Sequence, residues 1–212
     1  MITKEILGEK ILRRINGGDP TTAVNVDVRD IYLEIEASRN SLIQELLNST
    51  SNDISSEFET TYENVPVLKD VNRNRFYSTL PSQLISLVIK GNSSNSKGVR
   101  QISGMQDEYS VFIPTNSNDT GVFYGLEAGN MGGKVSFWVE GNKVFYENMP
   151  YYYENKTVLI KMISSIYSLP EDAFIPIPAG VEKKLEEMVY TSMMAMRGTP
   201  VSKNADNTAS QK

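Results

Sequence analysis

Apolar residues recur every three or four positions near both ends of the chain and alternate in short runs between them. Ile6, Leu7, Ile11, Leu12 and Ile15 predict a first amphipathic helix. Thr3 is placed to cap it, with Glu5 in the first turn at the positive end of the helix dipole. Asn16-Gly17-Gly18 followed by Asp19-Pro20 supplies the stop. Lys4, Glu9, Lys10 and Arg13 form the opposite, polar face. So short a helix is marginal alone, and its stripe must dock on something. Residues 21–26 read as an extended link. Asp27 then caps a second helix from about Val28 to Leu47, with Val28, Ile31, Ile35, Leu42, Ile43 and Leu46 on one stripe. Glu34, Glu36, Arg39 and Glu45 fall mostly off that stripe.

After a polar break at 48–56 the period changes. Short β-prone runs separated by turn residues predict a β-rich module: Glu57 to Tyr62, Arg75 to Thr79, Leu84 to Ile89, Val99 to Ile102, Tyr109 to Ile113, Gly121 to Leu126, Lys134 to Val139 and Lys143 to Glu147. Glu140-Gly141-Asn142 between two alternating runs reads as a hairpin. Val135, Phe137 and Val139 share one face of it. Ser136, Trp138 and Glu140 share the other, which places Trp138 on the outer side. The polar stretches GNSSNSKG (91–98) and TNSNDTG (115–121) read as exposed loops. Thr157 to Ile163 is nearly all apolar and predicts a strand buried on both sides, or one packed under helices.

The last ordered feature expected is LPEDAFIPIPAGVEKKLEEMVYTSMMAM, residues 169–196. Pro176 and Pro178 hold an extended segment, and Pro178 also suits a helix first turn. Val181, Leu185, Met188, Val189, Ser192 and Met196 then follow at helical spacing. Met188, Met193, Met194 and Met196 crowd its end, and methionine suits irregular, adaptable contacts. Residues 198–212 are small and polar, a composition that orders only against another surface.

The predicted fold is α+β. Helices occupy 1–48, an antiparallel sandwich or barrel-like module occupies 57–168, an extended segment and helix occupy 169–197, and an extended arm occupies 198–212.

Composition removes whole classes of chemistry. The 212 residues contain no histidine and no cysteine, so histidine-based triads, thiolate nucleophiles and histidine or cysteine metal sites are excluded. The net charge of −5 argues against a broad nucleic-acid footprint. Residues 1–15 have no apolar signal core, and no apolar run reaches a membrane span. Glu171-Asp172 reads as solvated turn charges. Asp27 and Asp30 are explained by capping, and the calcium-like run at 116–121 lacks the required spacing. Gly129 to Gly133 precedes a strand, whereas a phosphate cradle precedes a helix. No catalytic, cofactor or metal residue is assigned, and the chain is expected not to be an enzyme.

Three stretches carry a family resemblance: TKEILGEKILRRINGGDPTTAVNVDVRDIYLEIEASRNSLI, FYSTLPSQLISL, and VLIKMISSIYSLPEDAFIPIPAGVEKKLEEMV. In these the chain resembles the virion structural proteins of crAss-like bacteriophages, in particular ring or adaptor proteins of the head-to-tail neck. The polar insertion at 91–98 departs from that pattern. The resemblance implies a non-enzymatic subunit of a twelvefold ring below the portal, in contact with portal and neighbouring neck or tail proteins, without a membrane. It implies synthesis in the host cytoplasm and residence in the virion. Genomic DNA would pass through the ring without sequence-specific binding, and an acidic wall lets DNA slide. Ring closure needs a heterologous interface. The interface candidates are Ile6 and Ile11 on the first helix, Trp138, Tyr151, Tyr152 and Tyr153 around the hairpin, Met188, Met193 and Met196 on the last helix, and Pro200 and Lys203 in the arm. A tail-associated module holding glycan or peptide through Trp138 and the tyrosines is a second expectation. A carboxylate-dependent hydrolase is a third.

Overall fold

A computed structural model describes residues 2–17, 26–49, 55–72, 74–85, 98–105, 107–115, 134–167 and 169–198. Helix α1 spans Lys4–Ile15. The Thr3 hydroxyl accepts from the Ile6 N–H at 3.2 Å, the expected cap. Gly17, at φ 67°, takes the left-handed turn that ends it. Helix α2 spans Val28–Ser49, and the Asp27 carboxylate accepts from the Arg29 N–H at 2.9 Å. Helix α3, Glu182–Gly198, is entered through a 3-10 turn over Ala179–Val181 that follows Pro178. Each of the three helices packs on both others, so α1 and α2 near one end of the sequence and α3 near the other share one core. Leu7, Ile11, Ile31, Ile35, Leu42, Ile43, Leu185 and Val189 fill it. Each such aliphatic side chain contributes about 1.5–3 kcal/mol by leaving water.

The middle of the chain builds two facing sheets. One has the order β1-β9-β4-β5, from Thr60–Pro66, Thr157–Met162, Val99–Gly104 and Asp107–Val111. The other has the order β2-β3-β8-β7-β6, from Leu68–Asp70, Arg75–Thr79, Lys143–Glu147, Ser136–Glu140 and Ile113–Pro114. Val65, Ile102, Val158, Ile160 and Met162 of the first sheet meet Phe76, Phe137, Val139, Val144 and Tyr146 of the second in one core, so the module is a sandwich. Its pairings are antiparallel except β6 with β7, which is parallel and modifies the all-antiparallel expectation. The chain changes sheets at Val67 and at Phe112. At these points backbone N–H groups donate across, from Val67 to the Lys156 carbonyl at 2.9 Å and from Phe112 to the Ile102 carbonyl at 2.8 Å.

The expected hairpin is β7–β8, with Glu140 opposite Lys143 and a two-residue turn. Gly141, at φ 62°, stands at its first central position, as a II′ turn requires. β9 has consecutive buried residues, Val158, Leu159 and Ile160, as the apolar run predicts, and it is paired along both edges, by β1 and β4. The short β2 was not expected. The proposed strand over 121–126, most of 84–89, the loops at 91–98 and 115–121 and the glycine-rich run at 129–133 lie wholly or largely outside the described residues. So does the arm beyond residue 198.

The helices are fixed to the segments that enter and leave the sandwich by residues assigned from sequence to polar faces. Arg39 is 0% exposed. Its guanidinium donates to the carbonyls of Ser164 at 3.1 Å, Phe58 at 3.2 Å and Pro176 at 3.3 Å. One turn earlier, the Glu36 carboxylate accepts from the Ile166 N–H at 2.7 Å. Lys4 is also buried and donates to the Leu169 carbonyl at 2.7 Å, its ammonium lying 4.9 Å from the centre of the Tyr32 ring. Between them these side chains grip residues 164–167 and 169–176, a proline-stiffened strap that runs from the end of β9 back across the helices. Backbone bonds complete the grip: Ile175 N–H to the Ile2 carbonyl at 3.0 Å and Glu5 N–H to the Glu171 carbonyl at 2.9 Å.

Candidate functional site

Exposed side chains gather at two poles. At the first, Pro150 ends the run after β8 and starts a 3-10 turn over Tyr151–Tyr153. The turn splays three consecutive tyrosines. Tyr153 turns inward against Phe112, with ring centres 6.1 Å apart in an edge-to-face contact, and Phe112 in turn meets Tyr146 at 5.9 Å. Tyr151 and Tyr152 stay outside, 67% and 69% exposed. Lys69 lies over the Tyr151 ring at 4.9 Å, and the Tyr152 ring leans on Tyr153 at 4.8 Å. Between the ends of the two sheets this pole opens a cleft of about 700 Å³. Phe112, Val135, Tyr152 and Tyr153 line it together with Lys134 and Lys156, and no Asp or Glu is among its described lining residues. The volume falls in the range of ordinary ligand clefts. A Cβ at Gly104 would lie 2.7 Å from the Tyr153 hydroxyl oxygen, so a larger residue there would make that ring shift.

At the second pole the strap turns over the first turn of α1. Tyr167, Glu171, Asp172 and Phe174 are exposed, as is Ile6. Thr3 forms an isolated antiparallel bridge with Phe174, which brings the strap and the start of α1 together. Burial raises the pKa of the Tyr32 phenol here, and the nearby carboxylates of Glu171, Glu5 and Glu9 add to the shift, so this pole is locally acidic. Inside the molecule, burial lowers the Arg39 guanidinium to about 10, opposed by Glu36. Burial also holds the Tyr146 phenol well above its ordinary range, against a smaller opposing effect of its 3.0 Å hydrogen bond to the Ser78 hydroxyl.

The structure sorts the interface candidates. Ile6, Tyr151, Tyr152 and Met196 are exposed, and Met188 and Tyr153 are half-buried. Pro200 and Lys203 lie outside the described residues. Three candidates are corrected. Ile11 and Met193 point into the helical core, because each sits on the face of its helix that meets the other two. Trp138 does lie on the face opposite the sandwich core, as alternation predicted, yet it is only 4% exposed. That outer face is itself covered at Ser136, Trp138, Phe145 and Glu147. Trp138 stacks on Phe145 at 5.5 Å, with the Arg75 guanidinium 5.4 Å from its ring centre.

Sequence reasoning missed Arg39 and Lys4, which hold the strap of the second pole. A signal existed: Arg39 stands four residues after Ile35 and three before Leu42, squarely within the apolar stripe. Among the described residues no group of three or more His, Cys, Asp or Glu could hold a metal ion. No helix there is long and apolar enough to cross a membrane. No protein-family model matches the chain, and no curated protein matches it.

Proposed function

We propose that the chain is a non-catalytic virion subunit, one copy of a closed ring in the phage neck that joins portal to tail and continues the DNA channel. The observation that carries this reading is the pairing of a rigid body with two unlike exposed poles. A buried clasp of Arg39, Glu36 and Lys4 fixes helices, strap and sandwich in one geometry. Exposed aromatic residues then stand at both ends, Tyr151 and Tyr152 at one and Tyr167 and Phe174 at the other. Unlike ends suit a heterologous contact, the kind that closes rings. Aromatic side chains in exposed groups are the usual anchors of protein interfaces. The net charge of −5 suits a channel wall that does not retain phosphate. Portal and neighbouring neck proteins are the partners of such a ring, and DNA crosses it unread.

Electron microscopy of the purified chain, and of particles in which it carries a label, tests this. Closed rings with the label at the head-to-tail junction are expected. A single unassembled chain in both settings would overturn the proposal.

The cleft favours one second reading, a tail-associated module that holds a glycan or peptide. Tyr152 and Tyr153 supply stacking faces there, and Lys134 and Lys156 supply donors. Binding on a glycan or peptide array that disappears on Tyr152→Ala would support it over the ring.

A further inference from the structure

We propose that the acidic strap of one copy docks in the lysine-flanked aromatic cleft of the next, which makes the two poles the two halves of a single repeating contact. This rests on the ring reading and names the surfaces that close it. Three observations carry it. The first is charge: Lys134 and Lys156 have no ion-pair partner among the described residues, and neither do Glu171 and Asp172. Each pole therefore holds, at accessible positions, two charges of one sign that no described residue pairs. The second is shape: the strap presents Phe174, 61% exposed beside Glu171 and Asp172, and the cleft is walled by Phe112, Tyr152 and Tyr153. An aromatic side chain beside two carboxylates meets aromatic walls beside two ammonium groups.

The third is placement. Lys156 and Thr157 line the cleft where β9 begins, and the strap follows where β9 ends at Met162. The strand alone separates the two by about 17 Å. Both poles are held by rigid elements, so one copy cannot fold its strap into its own cleft. The complement has to come from another molecule, and a contact of unlike surfaces propagates head to tail. A second copy is the occupant favoured here over a free sugar, because the complementary surface is already present on the chain.

The experiment uses the full chain in two variants, Lys134→Glu with Lys156→Glu for the cleft, and Glu171→Lys with Asp172→Lys for the strap. All four side chains are exposed, and unchanged thermal transitions will show that the fold is retained. Each variant alone is expected to self-associate at least about tenfold more weakly than the unaltered chain in sedimentation experiments at low salt. Mixed together, intact strap meets intact cleft and reversed strap meets reversed cleft, so the mixture should associate where neither variant does alone, the two kinds of chain alternating. All four reversals in one chain should restore association. If the unaltered chain assembles and neither variant weakens it, the strap-to-cleft contact is wrong and the ring reading stands. If the unaltered chain stays single at every concentration, both fall. If a variant loses its thermal transition, the test passes to Phe174→Ala and to added salt on the unaltered chain, each of which should weaken association. Indifference to both would overturn the contact.

Discussion

Replacing Arg39 with alanine removes the centre of the clasp. Three backbone carbonyls, of Phe58, Ser164 and Pro176, lose their donor at once. The lost bonds are charge-assisted, worth about 1.5–3 kcal/mol each net, and an orphaned buried acceptor costs about 1–3 kcal/mol. Two effects oppose this. The variant no longer buries a cation, whose desolvation is what lowers the Arg39 pKa to about 10. Water can also enter the space and satisfy some of the carbonyls. Breaking buried charged arrangements by truncation costs about 3–5 kcal/mol after such offsets, and that is the expected loss. For a chain of this length it lowers the melting temperature by roughly 10 °C. Chemical denaturation followed by circular dichroism measures it directly. Arg39→Lys keeps the charge but not the planar fork that reaches several carbonyls, so it should recover only part of the loss. In a double-mutant cycle with Glu36→Gln the two losses should fall short of additivity, because both side chains hold the strap at residues 164–166. An alanine variant within about 0.5 kcal/mol of the unaltered chain would refute the clasp, since that is the range of inconsequential surface changes.

Gly8→Ala is expected to destabilise by about 1–3 kcal/mol, because a Cβ there would lie 2.9 Å from the Tyr32 ring that packs over Lys4; an unchanged denaturation midpoint would show that the ring yields freely. An alkaline titration followed by phenolate absorbance should leave at least one of the eleven tyrosines protonated well above pH ~10, the ordinary tyrosine value, until the chain unfolds. The sign follows from a raised folded pKa: the contribution of Tyr146 to stability is complete below pH ~10 and is lost as pH rises above it. Eleven tyrosines ionising together before unfolding would contradict the buried Tyr146–Ser78 pair.

Much of this architecture is legible in the residue pattern, and what is not has a common cause. Local rules located Thr3 as a cap, Gly17 as a stop, the two-residue turn at Gly141 and the face on which Trp138 lies. They succeed because each concerns neighbours in sequence. The strap was legible as an extended, proline-held segment, but its partners were not. Lys4 and Leu169 are 165 positions apart, and nothing in either stretch names the other. Arg39 was assigned to the polar face because it is charged, although its spacing from Ile35 and Leu42 placed it inside. Ile11 and Met193 were offered as contact residues because an apolar stripe looks the same whether it meets another helix of the chain or another molecule. Trp138 shows the limit of alternation, which gives the side of a sheet and not what covers that side. Leu68–Asp70 is too short and too charged to register as a strand.

The most direct test of an assembling subunit is sedimentation equilibrium of the unaltered chain over a wide concentration range at low salt. A mass that climbs from one chain to a fixed, closed multiple and then stops is the expected result. A mass that remains that of one chain at every concentration would contradict it.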